Sequence, residues 1–89
     1  MRSRTTRSFW ERFVRLPDPV QRQARRAFQR WRQNPRHSSL DFKRVHTSEP
    51  IYSVRVSQGY RALGLRDDDL VTWFWIGSHA DYDRMLRSS

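Results

Sequence analysis

Two arginines in neighbouring segments are the residues of this chain whose types and spacing best suit chemistry. Arg55 lies in YSVRV and Arg61 in GYRAL, and both segments are typical of short strands. If Ser57-Gln58-Gly59 forms a three-residue loop, Val56 pairs with Tyr60 and Arg55 lies directly opposite Arg61, with Cβ atoms about 5 Å apart. A two-residue loop would place the two arginines on opposite faces.

Two guanidinium groups held this close favour an anion between them. They repel each other by about 1 kcal/mol in water-like surroundings and by about 3 kcal/mol at an effective dielectric of 20. A shared phosphate would turn that repulsion into a clamp, because guanidinium binds phosphate in a bidentate manner. The spacing equally allows both side chains to be solvated or to pair with Asp67, Asp68 and Asp69.

His79 and Tyr82 are candidates for proton transfer near the end of the chain. They are three positions apart in HADYDRML, a segment predicted to be a short helix capped by Ser78, so they can share a face. Histidine exchanges protons near neutral pH, and tyrosine can donate a hydrogen bond or act as a base beside arginines. A single histidine near a helix start is, however, more often a cap or a surface residue. The three histidines are scattered and the Asp67–Asp69 turn lacks the pattern of a calcium loop, so no metal site and no cofactor is expected.

Two helices are predicted to form a hairpin ahead of these segments. The first begins at Ser8, a capping-box residue with Glu11, and ends at Pro17; the second begins at Asp18-Pro19 and ends at Asn34-Pro35. The apolar face of the second helix contains Val20, Ala24, Ala27, Phe28 and Trp31.

The remaining segments predict a sheet. Strands are expected over 41–45, 51–57, 60–66 and 70–76, and residues 2–6 read as an edge strand or a frayed terminus. The run LVTWFWI is apolar on both alternating faces, as in a strand covered on both sides. The expected fold is α+β: a small antiparallel sheet of three to four strands, the helical hairpin on one face, and a short C-terminal helix with Ala80 and Met85 as weak core candidates. Residues 1–89 are expected to form a single domain.

Charge indicates a polyanionic partner. Residues 1–46 hold 13 Lys/Arg and 3 Asp/Glu, a balance of +10, whereas residues 47–89 hold 5 and 6, a balance of −1. Nucleic acid is the commonest partner of such a field, although an acidic protein would also satisfy it. The chain has no cysteine and no apolar run of membrane length, so we expect a cytoplasmic protein without disulfides or membrane contact.

The ordered set of segments resembles the RelE/ParE superfamily of toxins from bacterial type II toxin–antitoxin systems. The resemblance runs through SFWERFVRLPDPVQRQARRAF and NPRHSSLDFKRV and is strongest in YSVRVSQGYRAL and WIGSHADYDRML. It implies a metal-independent endoribonuclease that cleaves mRNA in the ribosomal A site, with an antitoxin, mRNA and the ribosome as partners. The superfamily also contains gyrase poisons without nuclease activity, and an inert basic nucleic-acid- or partner-binding module is a further alternative.

The resemblance also implies roles for individual residues. Arg61 matches the strand arginine that contacts the scissile phosphate, and Arg55 a basic position in the preceding strand. Tyr82 and His79 fall where ribonuclease members carry catalytic residues, whereas Ser53 stands where some carry a second lysine. The residues expected to contact RNA or the ribosome are Lys43, Arg44, His46, Arg22, Arg25 and Arg26.

Overall fold

The computed structural model describes residues 1–88 and confirms the α+β class. Within these residues the chain forms five strands and three α-helices, with a short 3-10 turn at Ser38–Leu40. The elements are β1 (Arg2–Thr5), α1 (Arg7–Phe13), α2 (Asp18–Gln33), β2 (Lys43–Arg44), β3 (Ile51–Ser57), β4 (Tyr60–Asp67), β5 (Leu70–Ser78) and α3 (His79–Arg87).

The sheet has five strands in the order β1-β5-β4-β3-β2, rather than the three to four expected. Residues Arg2–Thr5 form an edge strand parallel to β5, and all other neighbours are antiparallel. Backbone hydrogen bonds hold this edge, from the Arg2 N–H to the Asp69 carbonyl (2.7 Å) and from the Thr6 N–H to the Trp73 carbonyl (3.0 Å). The first residues are ordered because they satisfy the free edge of β5.

Two predicted boundaries are wrong, those of the strand expected over 41–45 and the start of the first helix. The strand expected over 41–45 is reduced to Lys43–Arg44, because Asp41 has the left-handed conformation (φ 44°) that ends the 3-10 turn. Ser8 does not cap α1. The cap is Thr6, whose Oγ1 accepts a hydrogen bond from the Phe9 N–H (3.2 Å), while the Ser8 hydroxyl donates to the Phe74 carbonyl (3.0 Å).

The sheet is covered on both faces, as the sequence of β5 predicts. Helices α1 and α2 cover one face, where Trp31 and Trp73 lie at the centre of the larger core. Helix α3 covers part of the other, with Tyr82 packed against Leu63 and Trp75. The expected core candidates Ala80 and Met85 are exposed. Among the helices of residues 1–88, none combines the length and apolar composition that crossing a bilayer requires.

The β3–β4 hairpin has a different loop from the one predicted, and of the two predicted pairs only Arg55 with Arg61 is found. Its loop contains two residues, Gln58 and Gly59, and Ser57 rather than Val56 pairs with Tyr60. A register shift between Arg55 and Ser57 leaves Val56 as an extra residue, and Arg55 then pairs with Arg61. A bulge adds one residue to one strand, so it reverses the change of face that the shorter loop would have caused.

Candidate functional site

Arg61 is almost completely buried on the sheet face that α3 partly covers. Its side chain is 6% exposed. Its Nε donates to the Ser53 hydroxyl (2.5 Å), one terminal nitrogen donates to the Asp41 carbonyl (2.9 Å), and the other lies 3.3 Å from the Asp41 carboxylate. Ser53, which is fully buried, thus holds this guanidinium. The arginine head group is held in one orientation by groups on two different segments.

The Asp41 carboxylate lies among three cations. Its Oδ2 is 3.3 Å from Arg61, 3.4 Å from the Lys43 ammonium and 3.9 Å from Arg55. Burial raises the pKa of Asp41, but the hydrogen bond from Lys43 and the charges of Lys43, Arg61 and Arg55 outweigh it and hold the pKa below its ordinary value. The carboxylate that pairs with both arginines is therefore this one, and not those of Asp67, Asp68 and Asp69.

Together these four side chains form a cationic cluster, defined as Lys43, Arg55 and Arg61 around Asp41. The side chains of Lys43 and Arg55 are 54% and 50% exposed, so both can turn towards an anion arriving from solvent. Arg61 lies fixed behind them. Because Asp41 already supplies an anion, a phosphate entering the cluster would exchange with its carboxylate.

Helix α3 places His79 and Tyr82 beside this cluster. The Ser78 hydroxyl caps the helix by accepting from the Asp81 N–H (3.2 Å), as predicted. The His79 N–H donates to the Gly59 carbonyl (2.7 Å), which ties the helix start to the hairpin loop. The two rings stack at 5.5 Å, and the Arg61 guanidinium lies 5.4 Å from the centre of the Tyr82 ring. The histidine is exposed, while Tyr82 is buried.

An open groove of about 580 Å³ joins these groups, and we call it the hairpin groove. Three of the four predicted catalytic residues line it, and Tyr82 lies against Arg61 beneath it. In the part of the chain that the structure describes, no three His, Asp or Glu side chains are grouped so that they could hold a metal ion. The lining residues are Arg55, Ser57, Gln58, Gly59, Tyr60, Arg61 and His79.

The residues predicted to contact RNA are dispersed. Only Lys43 belongs to the cationic cluster. Arg44 folds onto its own loop and donates to the His46 carbonyl (3.0 Å), and the His46 ring accepts from the Glu49 N–H (3.0 Å), so both stabilise that turn. Arg22, Arg25 and Arg26 are exposed on α2, and the Arg25 guanidinium lies 5.0 Å from the Phe13 ring.

Sequence reasoning missed Asp41. Its position at the start of a predicted strand gave no sign of a partner, because the arginine it contacts is 20 residues away in sequence. The one signal in the sequence was an unpaired acidic residue in a strongly basic half of the chain. Such a residue is expected to find a cation, but the sequence does not say which one.

Known proteins share this fold. One chain in the RelB–RelE antitoxin–toxin complex of Methanococcus jannaschii matches at a TM-score of 0.71 and 15% identity, covering 91% of this chain and 96% of that chain. YafQ from E. coli matches at 0.70 and 13%, covering 92% and 98%. A chain of the RelBE2 toxin–antitoxin complex of Mycobacterium tuberculosis matches at 0.69 and 20%, covering 88% and 96%. At these identities the likeness establishes a common fold.

The sequence itself gives the family. No curated protein matches it at a significant level. The sequence model described as the ParE-like toxin domain matches residues 18–84, from the start of α2 to the last turns of α3. This range contains the cationic cluster, the hairpin groove and both residues of the stacked pair. The chain therefore belongs to the family of ParE-like toxin domains, within the RelE/ParE superfamily of toxins.

Proposed function

We propose that this protein is the toxin of a toxin–antitoxin pair and acts as an endoribonuclease on mRNA at the ribosome. The observation that supports cleavage is a single groove lined by Arg55, Arg61 and His79, with Tyr82 stacked beneath. Cationic groups for a phosphate and groups able to move a proton are thus adjacent. Both are needed for attack of a ribose 2′-hydroxyl on the neighbouring phosphate.

Each residue has a defined part in this reaction. Arg55 and Lys43 turn from Asp41 to the scissile phosphate, and Arg61 stabilises the charge that develops on the phosphorane oxygens. His79 and Tyr82 divide the proton transfers: one accepts the proton of the 2′-hydroxyl and the other gives a proton to the departing 5′-oxygen. The P–O bond to the 5′-oxygen breaks as the bond to the 2′-oxygen forms, so the products are a 2′,3′-cyclic phosphate and a 5′-hydroxyl.

The proposed partners follow from charge and from the relatives. The chain carries a net charge of +9, which favours RNA and an acidic antitoxin segment over the same surface. Two of the solved structures are antitoxin–toxin complexes, which supports a cognate antitoxin for this chain as well. We place the protein in the cytoplasm, where mRNA and ribosomes are found. Residues Lys43, Arg44, His46, Arg22, Arg25 and Arg26 are proposed to contact RNA backbone.

The test is to map RNA 5′ ends in cells expressing the wild type or the double variant His79→Ala/Tyr82→Phe. Cuts inside translated codons that occur only with the wild type support the proposal. The matched control is His37→Ala/Tyr52→Phe, which makes the same chemical changes outside the hairpin groove and should retain cleavage. Thermal unfolding of all three purified proteins shows whether each variant folds.

Two observations favour a second candidate, a ParE-like gyrase poison that binds without cutting RNA. The matching family is named for ParE, and Arg61 already has partners in Asp41 and Ser53. In that case His79 and Tyr82 are dispensable for growth inhibition, transcripts remain intact, and DNA breaks appear. An inert binding module would give neither broken RNA nor broken DNA, and its binding would weaken steeply with salt.

A further inference from the structure

A second groove adjoins the hairpin groove on the other side of Arg55. It has a volume of about 250 Å³ and lies between α2 and the end of β3, so we call it the α2 groove. Arg55, Ser57 and Gln58 line both grooves. The two are therefore neighbours around the β3–β4 loop. A ligand held at the cationic cluster can extend past Arg55 into the α2 groove without leaving the surface.

The α2 groove carries positive charge that the described residues do not neutralise. Arg26 and Arg30 are one helical turn apart, both are exposed, and both line it. Arg30 donates to the Ser39 hydroxyl (3.2 Å), and within residues 1–88 no carboxylate forms an ion pair with either arginine. Like charges four residues apart on a helix destabilise it, so this arrangement has a cost that a bound anion would remove.

The floor of the α2 groove is preformed. Ala27 and Val56 line it and also belong to the larger core, where they are 5% and 3% exposed. Strand β2 pairs with β3 only at Tyr52 and Ser53, so the outer edge of β3 beyond Ser53 has no neighbouring strand among the described residues. The groove is therefore open at the sheet edge while its floor is fixed by packing, and little ordering is needed on binding.

We propose that the α2 groove is a second phosphate subsite, in which Arg26 and Arg30 bind the backbone of the RNA strand whose neighbouring phosphate occupies the cationic cluster. This inference rests on the proposed function. It predicts that the RNA strand runs from the cationic cluster past Arg55 into the α2 groove. A single strand fits this path, because the two grooves turn around the end of a hairpin and a single strand can follow that turn.

The test measures binding of single-stranded RNAs that cannot be cut. RNAs of two, four, six and eight nucleotides with 2′-O-methyl riboses are titrated with wild type and with Arg26→Gln/Arg30→Gln by fluorescence anisotropy over a range of salt. The control is Arg4→Gln/Arg32→Gln, which removes the same charge from β1 and from the side of α2 that faces β1. Circular dichroism establishes that each variant folds.

The expected result depends on length. With the dinucleotide, which has one phosphate, the two double variants should bind equally. With the longer RNAs, Arg26→Gln/Arg30→Gln should bind about tenfold more weakly than the control. Its slope of log K against log salt should fall by about 0.7 for each RNA phosphate that the variant no longer neutralises.

If both variants lose the same RNA affinity at every RNA length, the proposed subsite is wrong, because equal losses indicate a diffuse electrostatic field without a local contact. An oligoglutamate peptide of matched charge that loses affinity in Arg26→Gln/Arg30→Gln while RNA does not would also overturn it, in favour of an acidic protein segment. Since these RNAs cannot be cleaved, a protein without nuclease activity still gives a readable result. Failure of the proposed cleavage and failure of the subsite are thereby separated.

Discussion

Replacing Asp41 with asparagine should make the protein less stable and make it bind anions more tightly. The substitution keeps the size of the side chain and removes the charge that lies 3.3 Å from Arg61, 3.4 Å from Lys43 and 3.9 Å from Arg55. The folded protein then holds three cations close together without an anion. Repulsion among them lowers stability, and the same repulsion favours any anion that enters the cluster.

The size of the stability loss in Asp41→Asn depends on how exposed the Asp41 side chain is. A unit-charge pair 4 Å apart is worth about 4 kcal/mol at an effective dielectric of 20 before desolvation is subtracted. Exposed pairs contribute about 0–1 kcal/mol net, and removing one partner of a buried pair costs about 3–5 kcal/mol. The Asp41 side chain is 38% exposed, which places it between these cases. We expect a loss of about 1–3 kcal/mol in unfolding free energy, and anion binding about tenfold tighter if about 1.4 kcal/mol is recovered on binding.

Stability is measured by urea unfolding, and anion affinity by calorimetric titration with pyrophosphate at low ionic strength. Asp67→Asn is the matched control, because it makes the same change in net charge at an exposed residue far along β4. It should leave both quantities nearly unchanged. The reasoning is refuted if Asp41→Asn binds pyrophosphate no more tightly than Asp67→Asn does. Unchanged stability would show that the three ion pairs contribute nothing.

The pH dependence gives an independent check on the same carboxylate. Because the folded pKa of Asp41 is lower than its ordinary value, its contribution to stability is complete above the ordinary carboxyl pKa of about 3.9. That contribution is lost as the pH falls through the lower pKa of the folded state. The difference in unfolding free energy between wild type and Asp41→Asn should therefore be full at pH 7 and disappear in acid. If the difference in unfolding free energy persists below both pKa values, its cause is hydrogen bonding or packing and not the charge of Asp41.

Three further substitutions test the scaffold by urea or thermal unfolding. Gly64→Ala should cost about 1–3 kcal/mol by overpacking, because an added Cβ would lie 2.8 Å from the Trp73 ring; an unchanged melting temperature would show that β5 can move. Ser53→Ala should cost about 1–3 kcal/mol because the buried Arg61 Nε loses its acceptor, and rescue by Ser53→Thr would support this cause. Thr6→Ala should cost about 1 kcal/mol as a lost helix cap, and no loss would contradict the cap assignment.

Local sequence patterns were enough for α2, for β5 and for the core residues that these two elements contribute. The helix over α2 follows from its apolar face, and Ala24, Ala27 and Trp31 are buried as that face predicts. The two-sided apolar pattern of β5 correctly indicated a strand covered on both faces. It did not indicate that Trp73 and Trp75, which would share a face in a regular strand, lie in different clusters, because that follows from a shift in the β4–β5 pairing between Leu63 and Gly64. These predictions succeed because side-chain periodicity and burial are set within one element.

Predictions that depended on a partner elsewhere in the chain were less reliable. Thr6 rather than Ser8 caps α1, and the hydroxyl of Ser8 is used by the Phe74 carbonyl on a distant strand. In α3, Tyr82 is buried while Ala80 and Met85 are exposed. A helix of nine residues offers several plausible faces, and packing against the sheet selects one.

The sequence by itself determined that Arg55 and Arg61 lie on the two strands of a hairpin in a basic α+β chain. It also determined that His79 and Tyr82 share one face of a final helix. Only the tertiary structure decided how Arg55 and Arg61 come to face each other, since a bulge compensates for a loop one residue shorter than predicted. It also decided that Asp41, which sequence reasoning passed over, lies between them. The physical reason is that register and ion pairing are properties of two segments together, whereas a pattern along one segment reports only on that segment.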